Sequence, residues 1–226
     1  MAGKAKKALK AIIFPVLYRL YNFHMRSERI VKIDELKLSV TNKVFHPGFF
    51  FSSGFLKEEL AQLDLANKTL LVIGSGSGIL SIYAASKAAR VTAIDIAEAA
   101  VETTRKNATL NEVDLEVVRT DLWENLASKA FDYIVVNPPY YPDAPQREEQ
   151  FAWFCGPNFE YFSRFYQGLK DFMHQNTLVL IILSEDCQLD QIKEIAERFE
   201  FEMAPYSTRK NFREENYIFE IKPLLK

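Results

Sequence analysis

One stretch restricts the fold of this chain more than any other. Leu70, Leu71, Val72 and Ile73 form an apolar run that stops at Gly74-Ser75-Gly76-Ser77-Gly78, and Ile79-Leu80 then open a helical pattern through Ala85. A short apolar run bounded by glycines reads as a buried strand. Strand, glycines and helix in that order make a tight turn at which backbone comes close to a ligand. A second apolar run, residues 90–95, ends on Asp95. Asp95 lies roughly 20 residues past the glycines, the offset at which a carboxylate grips ribose hydroxyls.

The glycine spacing separates two cofactor classes. A dinucleotide loop reads G-x-G-x-x-G. Here the third glycine is Gly78, and Ile79 stands where that loop has its last glycine. The G-x-G-x-G form lacks the fit for a pyrophosphate, which disfavours a nicotinamide-dependent oxidoreductase.

The pattern then keeps alternating. Helical spacing covers residues 98–111, a strand 115–120, and a buried strand 131–136. A helix is expected at 158–174, a strand at 177–183 and a helix at 189–199. Strands at 201–206 and 217–221, joined by the basic turn 207–213, close the chain. Strands alternating with helices predict an α/β fold around a mostly parallel sheet. The basic turn reads either as a substrate contact or as a solvated hairpin.

The strand at 131–136 ends in Asn137-Pro138-Pro139-Tyr140. Two prolines remove two backbone donors, so the strand stops there. Each proline also holds the residue before it extended. The product is a stiff turn that presents an amide, bare carbonyls and an aromatic ring. Such a turn suits a planar NH2 group. The Asn137 oxygen and a proline carbonyl accept its hydrogens, and Tyr140 covers its flat face. Taken alone, the same residues are also an ordinary strand-ending turn. Residues 140–157 follow as an irregular stretch at the carboxyl edge of the sheet, where substrate contacts or a lid belong.

With these motifs in this order, the chain resembles class I S-adenosylmethionine-dependent methyltransferases over about residues 42–222. Asn137-Pro138-Pro139-Tyr140 narrows the likeness to HemK/PrmC-like and small-domain N-methyltransferases. The resemblance implies a Rossmann-like, seven-stranded, mostly parallel sheet with helices on both faces and a C-terminal antiparallel hairpin. It implies S-adenosyl-L-methionine held by Gly74, Ser75, Gly76, Gly78, Asp95, Ile96, Asp121, Leu122 and Asn137. It implies an acceptor nitrogen held by Asn137, Pro138, Pro139 and Tyr140. Asp121 takes the place of the family's adenine-binding acid; the alternative, read from its own neighbourhood, is a helix N-cap. Known acceptors in the family are RNA base amino groups and the glutamine amide of translation release factors. The chain therefore reads as an N-methyltransferase of an RNA base, with a protein glutamine as the alternative and a non-catalytic cofactor-binding module as the third reading. Two departures stand out. Val72 occupies a place where relatives carry an acid that steadies the loop, so its loss either weakens cofactor binding or is offset from elsewhere. The Asp-Gly pair often seen near Gly156-Pro157-Asn158 is missing.

Composition enters at the N-terminus. Residues 1–41 hold Lys4, Lys6, Lys7, Lys10, Arg19, Arg26, Arg29, Lys32 and Lys37 against three acids. Leu9, Ile12, Ile13, Val16, Leu17 and Leu20 recur at helical spacing. We expect a basic helical extension over 1–41, holding RNA or docking on a catalytic domain at 42–226. Ser52 or Ser53 is expected to cap a helix at 55–63. The phenylalanines at 45 and 49–51 line either pocket or core. The whole chain carries a net charge of only −2, which excludes a polycation. No stretch reaches the ~20 apolar residues that span a bilayer, and the chain reads as cytoplasmic. Cys155, Cys187, His24, His46 and His174 show no metal spacing, and no metal is expected.

Overall fold

A parallel sheet is stable only when helices cover both faces, and its strands are then apolar on both sides. The computed structural model shows this arrangement; it describes residues 28–40, 51–211 and 214–224. In chain order the elements are β1 (Arg29–Ile33), β2 (Leu36–Val40), α1 (Phe51–Leu60), β3 (Thr69–Ile73), α2 (Ile79–Ser86), β4 (Arg90–Asp95), α3 (Glu98–Leu110) and β5 (Glu116–Arg119). There follow β6 (Phe131–Val136), α4 (Glu160–Leu169), β7 (Met173–Ser184), α5 (Leu189–Arg198), β8 (Phe201–Lys210) and β9 (Glu215–Pro223).

Seven strands form one sheet in the order β5-β4-β3-β6-β7-β9-β8. The pairs from β5 to β7 are parallel. β9 runs antiparallel to both β7 and β8. From β3 the chain first steps outward to β4 and β5, then returns to place β6 on the other side of β3. The carboxyl ends of β3 and β6 therefore flank the point where strand order reverses, and a crevice opens there in sheets of this kind.

Alternate residues of one strand feed opposite faces. Leu71 and Ile73 join Ile134, Val136, Phe162, Phe165 and Ile192 beneath α4 and α5. Leu70 and Val72 join Val135, Ile182, Phe55, Leu56 and Ile82 beneath α1 and α2. Both layers are almost wholly withdrawn from solvent.

Three expectations need correction. Residues 29–40, inside the segment expected to be helical, form the β1–β2 antiparallel hairpin. Leu36, Leu38 and Val40 alternate inward onto the domain, and Asn107 of α3 and Asn111 at its C-cap clasp Ser39 and Lys37 through paired amide–backbone hydrogen bonds of 2.6–2.9 Å. The helix expected at 55–63 begins at Phe51, so Ser52 and Ser53 sit in its first turn and are not caps before it. The helix expected to reach residue 174 ends at Leu169, and β7 starts at Met173. The helical spacing of residues 9–21 and the phenylalanines at 45, 49 and 50 lie outside the described residues.

Candidate active site

The glycine loop leaves β3 at the reversal point. Gly74, Gly76 and Gly78 have φ of +78°, +55° and +80°, a region that side-chain-bearing residues disfavour. At Gly78 a Cβ would also lie 3.2 Å from the Thr104 Cα, so glycine lets α2 and α3 pack closely. At Gly76 a Cβ would meet nothing within 4 Å, so this backbone faces open space. The loop is held from below. The N–H groups of Gly74 and Ser75 both donate to the Ile94 carbonyl, at 3.0 and 2.9 Å. Thr104 Oγ1 lies 3.1 Å from Ser75 Oγ and 3.3 Å from the Gly76 carbonyl.

Asp95 ends β4 beside this loop. Its Oδ2 accepts from Gly76 N–H and its Oδ1 from Ala97 N–H, both at 3.0 Å. Burial pushes this carboxyl above its ordinary value, and the N–H groups of Gly76, Ala97 and Ile96 oppose that rise. A carboxylate has about four acceptor positions, so capacity remains for a hydroxyl after these bonds.

Asp121 and Leu122 follow β5. Leu122 is buried with φ +52°, and residues 121–125 form turns, so Asp121 caps no helix. Arg164 Nη1 donates to Asp121 Oδ2 at 2.8 Å. Burial, then the nearby charges of Asp95 and Asp121, push the Tyr161 phenol far up.

Asn137 follows β6 directly. Its carbonyl would lie 3.4 Å from a Cβ on Gly74, so the proline turn meets the glycine loop. Its Nδ2 donates to Ser52 Oγ at 3.3 Å, with Ser53 Oγ at 3.5 Å. The nitrogen is thus turned to α1, and the oxygen is the end presented to an incoming donor. Pro138 is buried, while Pro139 and Tyr140 are half-buried. Tyr140 packs 4.8 Å from the ring of Tyr141. Its phenol is pushed far above the ordinary value, chiefly by burial.

The family description "Methyltransferase small domain" matches residues 38–153. A Methanocaldococcus jannaschii protein assigned as an N5-glutamine methyltransferase is 34% identical over 161 residues, 69% of this chain and 79% of that protein. The chain belongs to the methyltransferase small-domain family.

It is an S-adenosylmethionine-dependent methyltransferase. A Flavobacterium psychrophilum release factor glutamine methyltransferase is 38% identical over 96 residues, 41% of this methyltransferase and 34% of that protein. Among solved structures, the E. cuniculi Mtq2–Trm112 complex, responsible for methylating the termination factor eRF1, shares the fold. The TM-score is 0.60 at 21% identity, covering 80% of this chain and 99% of that one.

The residues present fit the cofactor: an open backbone face at Gly76 and a carboxylate at Asp95 with oxygens to spare stand side by side. The place of Val72 is also explained. Val72 is a core residue, 1% exposed, and the loop is steadied from α3. Asn107 Nδ2 donates to the Ser77 carbonyl at 2.9 Å while the same amide clasps Ser39.

Sequence reasoning missed Thr104, Asn107, Tyr161 and Arg164. Each acts from a helix far along the chain, and no local spacing marks it. The stretch after Tyr140, expected as irregular, is cross-braced. The N–H groups of Tyr140 and Tyr141 donate to the Trp153 carbonyl, and those of Cys155 and Gly156 to the carbonyls of Tyr141 and Asp143. A groove of about 750 Å³ at the opposite end of the sheet, lined by His174, Gln175, Glu202 and Lys222, holds none of these groups.

Proposed function

We propose that this methyltransferase acts in the cytoplasm on the side-chain amide nitrogen of a glutamine in a translation-related protein. The observation that carries the proposal is the placement of Asn137, its side-chain nitrogen on Ser52 and its backbone carbonyl at the reversal point beside Gly74. The similarity to a protein assigned as an N5-glutamine methyltransferase supports glutamine over the RNA base that the sequence alone put first.

An amide nitrogen is a poor nucleophile because its lone pair is delocalised. When bound, S-adenosylmethionine supplies a methyl group on sulfonium, already a strong electrophile. The chain's own residues aim the nitrogen. Asn137 Oδ1 and the Pro138 carbonyl accept the two amide hydrogens, which favours localisation of the lone pair and fixes its direction. Tyr140 and Pro139 hold the planar group. Tyr140 stays a neutral phenol at physiological pH, so it serves as a wall and not as a base. Burial pushes the thiols of Cys155 and Cys187 to about 12, so neither supplies a thiolate for a covalent route. The nitrogen loses its proton after attack, and transfer is direct.

The test is transfer of labelled methyl into a cell extract that is then divided between ribonuclease and protease. Label lost only to protease, and recovered as N5-methylglutamine after complete digestion, is expected. Label lost only to ribonuclease makes the acceptor an RNA base.

A further inference from the structure

Among the described residues, three buried polar side-chain atoms have no hydrogen-bond partner: Ser81 Oγ, Tyr166 Oη and Asn216 Nδ2. An unmet buried donor costs stability, and an amide nitrogen carries two N–H bonds. Ser81 and Tyr166 lie within the helix layers, on α2 and α4. Asn216 differs in place. It stands 3% exposed on β9, at the same end of the sheet as Asn137.

Register fixes its direction. Ser184 pairs with Asn216 and Ile182 with Ile218, so Asn216 continues the face that Ile218 and Ile182 share with Val135. Asn137, two residues beyond Val135, reaches α1 on that same side. Asn137, Ser184 and Asn216 therefore lie along one face across the adjacent strands β6, β7 and β9. On the far side of Asn216, its β8 partner Arg209 is already engaged, over the Phe55 ring and with Glu58. Val136 pairs with Ile181, so Asn137 stands level with Ile182 and Asn216 two residues further along; two strand spacings of ~4.8 Å and an offset of ~6.7 Å put them about 12 Å apart. A carboxamide with a hydrogen bond of ~2.9 Å at each end spans about 8 Å, and the reach of the two asparagine side chains makes up the rest.

We infer that Asn216 is a second acceptor-reading residue: its Nδ2 donates to the carbonyl oxygen beside the NH2 that Asn137 holds. The inference rests on the glutamine reading above. A primary carboxamide offers an NH2 beside an acceptor oxygen, which matches one accepting amide and one donating amide. The adenine 6-amino group beside ring N1 and the guanine 2-amino group beside ring N3 also pair an NH2 with an acceptor, so the choice of glutamine comes from the reading above and not from this contact. Such a contact explains why an unmet donor is kept in a core position where valine suits the strand better.

The test compares the intact wild-type chain with Asn216→Val and the isosteric Asn216→Asp, which lacks the donor. Three quantities are read: labelled transfer against the concentration of extract protein, S-adenosylmethionine affinity, and Tm. Asn216→Val is expected to melt at or above the wild type, because the unmet donor is gone. Both variants should bind S-adenosylmethionine within about twofold of the wild type. Both should need roughly tenfold more extract protein for half-maximal transfer, the loss expected of one hydrogen bond. Wild-type transfer curves in both variants overturn the inference, as does a fall in cofactor affinity that accounts for the loss. If Asn216→Val fails to fold, the Asn216→Asp curve alone decides. The wild-type control separates the two claims: label in RNA overturns the glutamine reading and the carbonyl contact together, while label in protein with unaffected variants overturns only the role of Asn216.

Discussion

The two halves of the crevice are built differently. On the β3–β4–α3 side the polar groups around the glycine loop are bound within the chain. Asp95 holds Gly76 and Ala97, Thr104 reaches Ser75, and Asn107 ties Ser77 to Ser39. On the β6–β7–β9 side the chain leaves its donors and acceptors less complete, with the Asn137 amide held through its nitrogen and Asn216 Nδ2 unmet. The first half is preorganised to receive one constant molecule along its backbone. The second keeps open valences for a group that another macromolecule brings. The contrast says where damage should appear: changes in the first half strike folding and cofactor affinity, and changes in the second strike transfer.

The largest effect expected on the braced side is that of Asn107→Ala. It strands the N–H and C=O of Ser39 and the C=O of Ser77 in a buried place. At the usual cost of unmet groups this removes about 3 kcal/mol or more, read by denaturant unfolding. A loss under about 1 kcal/mol would show that the hairpin and the loop are not joined through this amide. On the acceptor side, Tyr140→Ala should slow transfer roughly 100-fold with S-adenosylmethionine affinity nearly unchanged. Tyr140→Phe should keep most of the rate, because the wall survives. A Phe variant as slow as the Ala variant would give the phenol a chemical role.

Asp95 sharpens the contrast in the opposite sense, since its burial works against the fold. Its folded-state pKa is raised above the ordinary 3.8. The folded chain therefore holds this proton to higher pH than the unfolded chain, and the group's favourable contribution is lost as pH rises through the raised value. Asp95→Asn should thus melt at or above the wild type at pH 7, with the gap closing toward pH 4, while S-adenosylmethionine binds roughly tenfold more weakly. Unchanged affinity would remove Asp95 from the cofactor site. Arg164→Ala should do least. Its partners Asp121 and Glu124 are solvent-accessible, so the pair is worth less than about 1 kcal/mol of stability.

The sequence reading succeeded where chemistry is local. A strand that must stop at glycines, an acid at its neighbour's end and two prolines after an asparagine each leave a mark within a few residues. The mostly parallel core follows from the same alternation, and the seven strands with their C-terminal hairpin follow from the family resemblance; the order of the strands is seen only in the structure. It failed where partners are distant. Leu36, Leu38 and Val40 alternate, but the basic run before them masks the pattern, and the hairpin turns on Asp34-Glu35 without a glycine signal. The asparagines that clasp it lie 68 and 74 positions away. Asn216 has no spacing to announce it at all; only pairing with Ser184 brings it to the acceptor end.

The account stands most directly on Asn137. The decisive measurement is a paired assay of Asn137→Ala: S-adenosylmethionine binding by calorimetry and labelled methyl transfer into extract protein. We predict affinity within about twofold of the wild type and a transfer rate lower by roughly 100- to 1,000-fold, the cost of removing a positioned group at a reacting centre. Transfer at the wild-type rate with intact cofactor binding would contradict the account and move the acceptor elsewhere in the crevice.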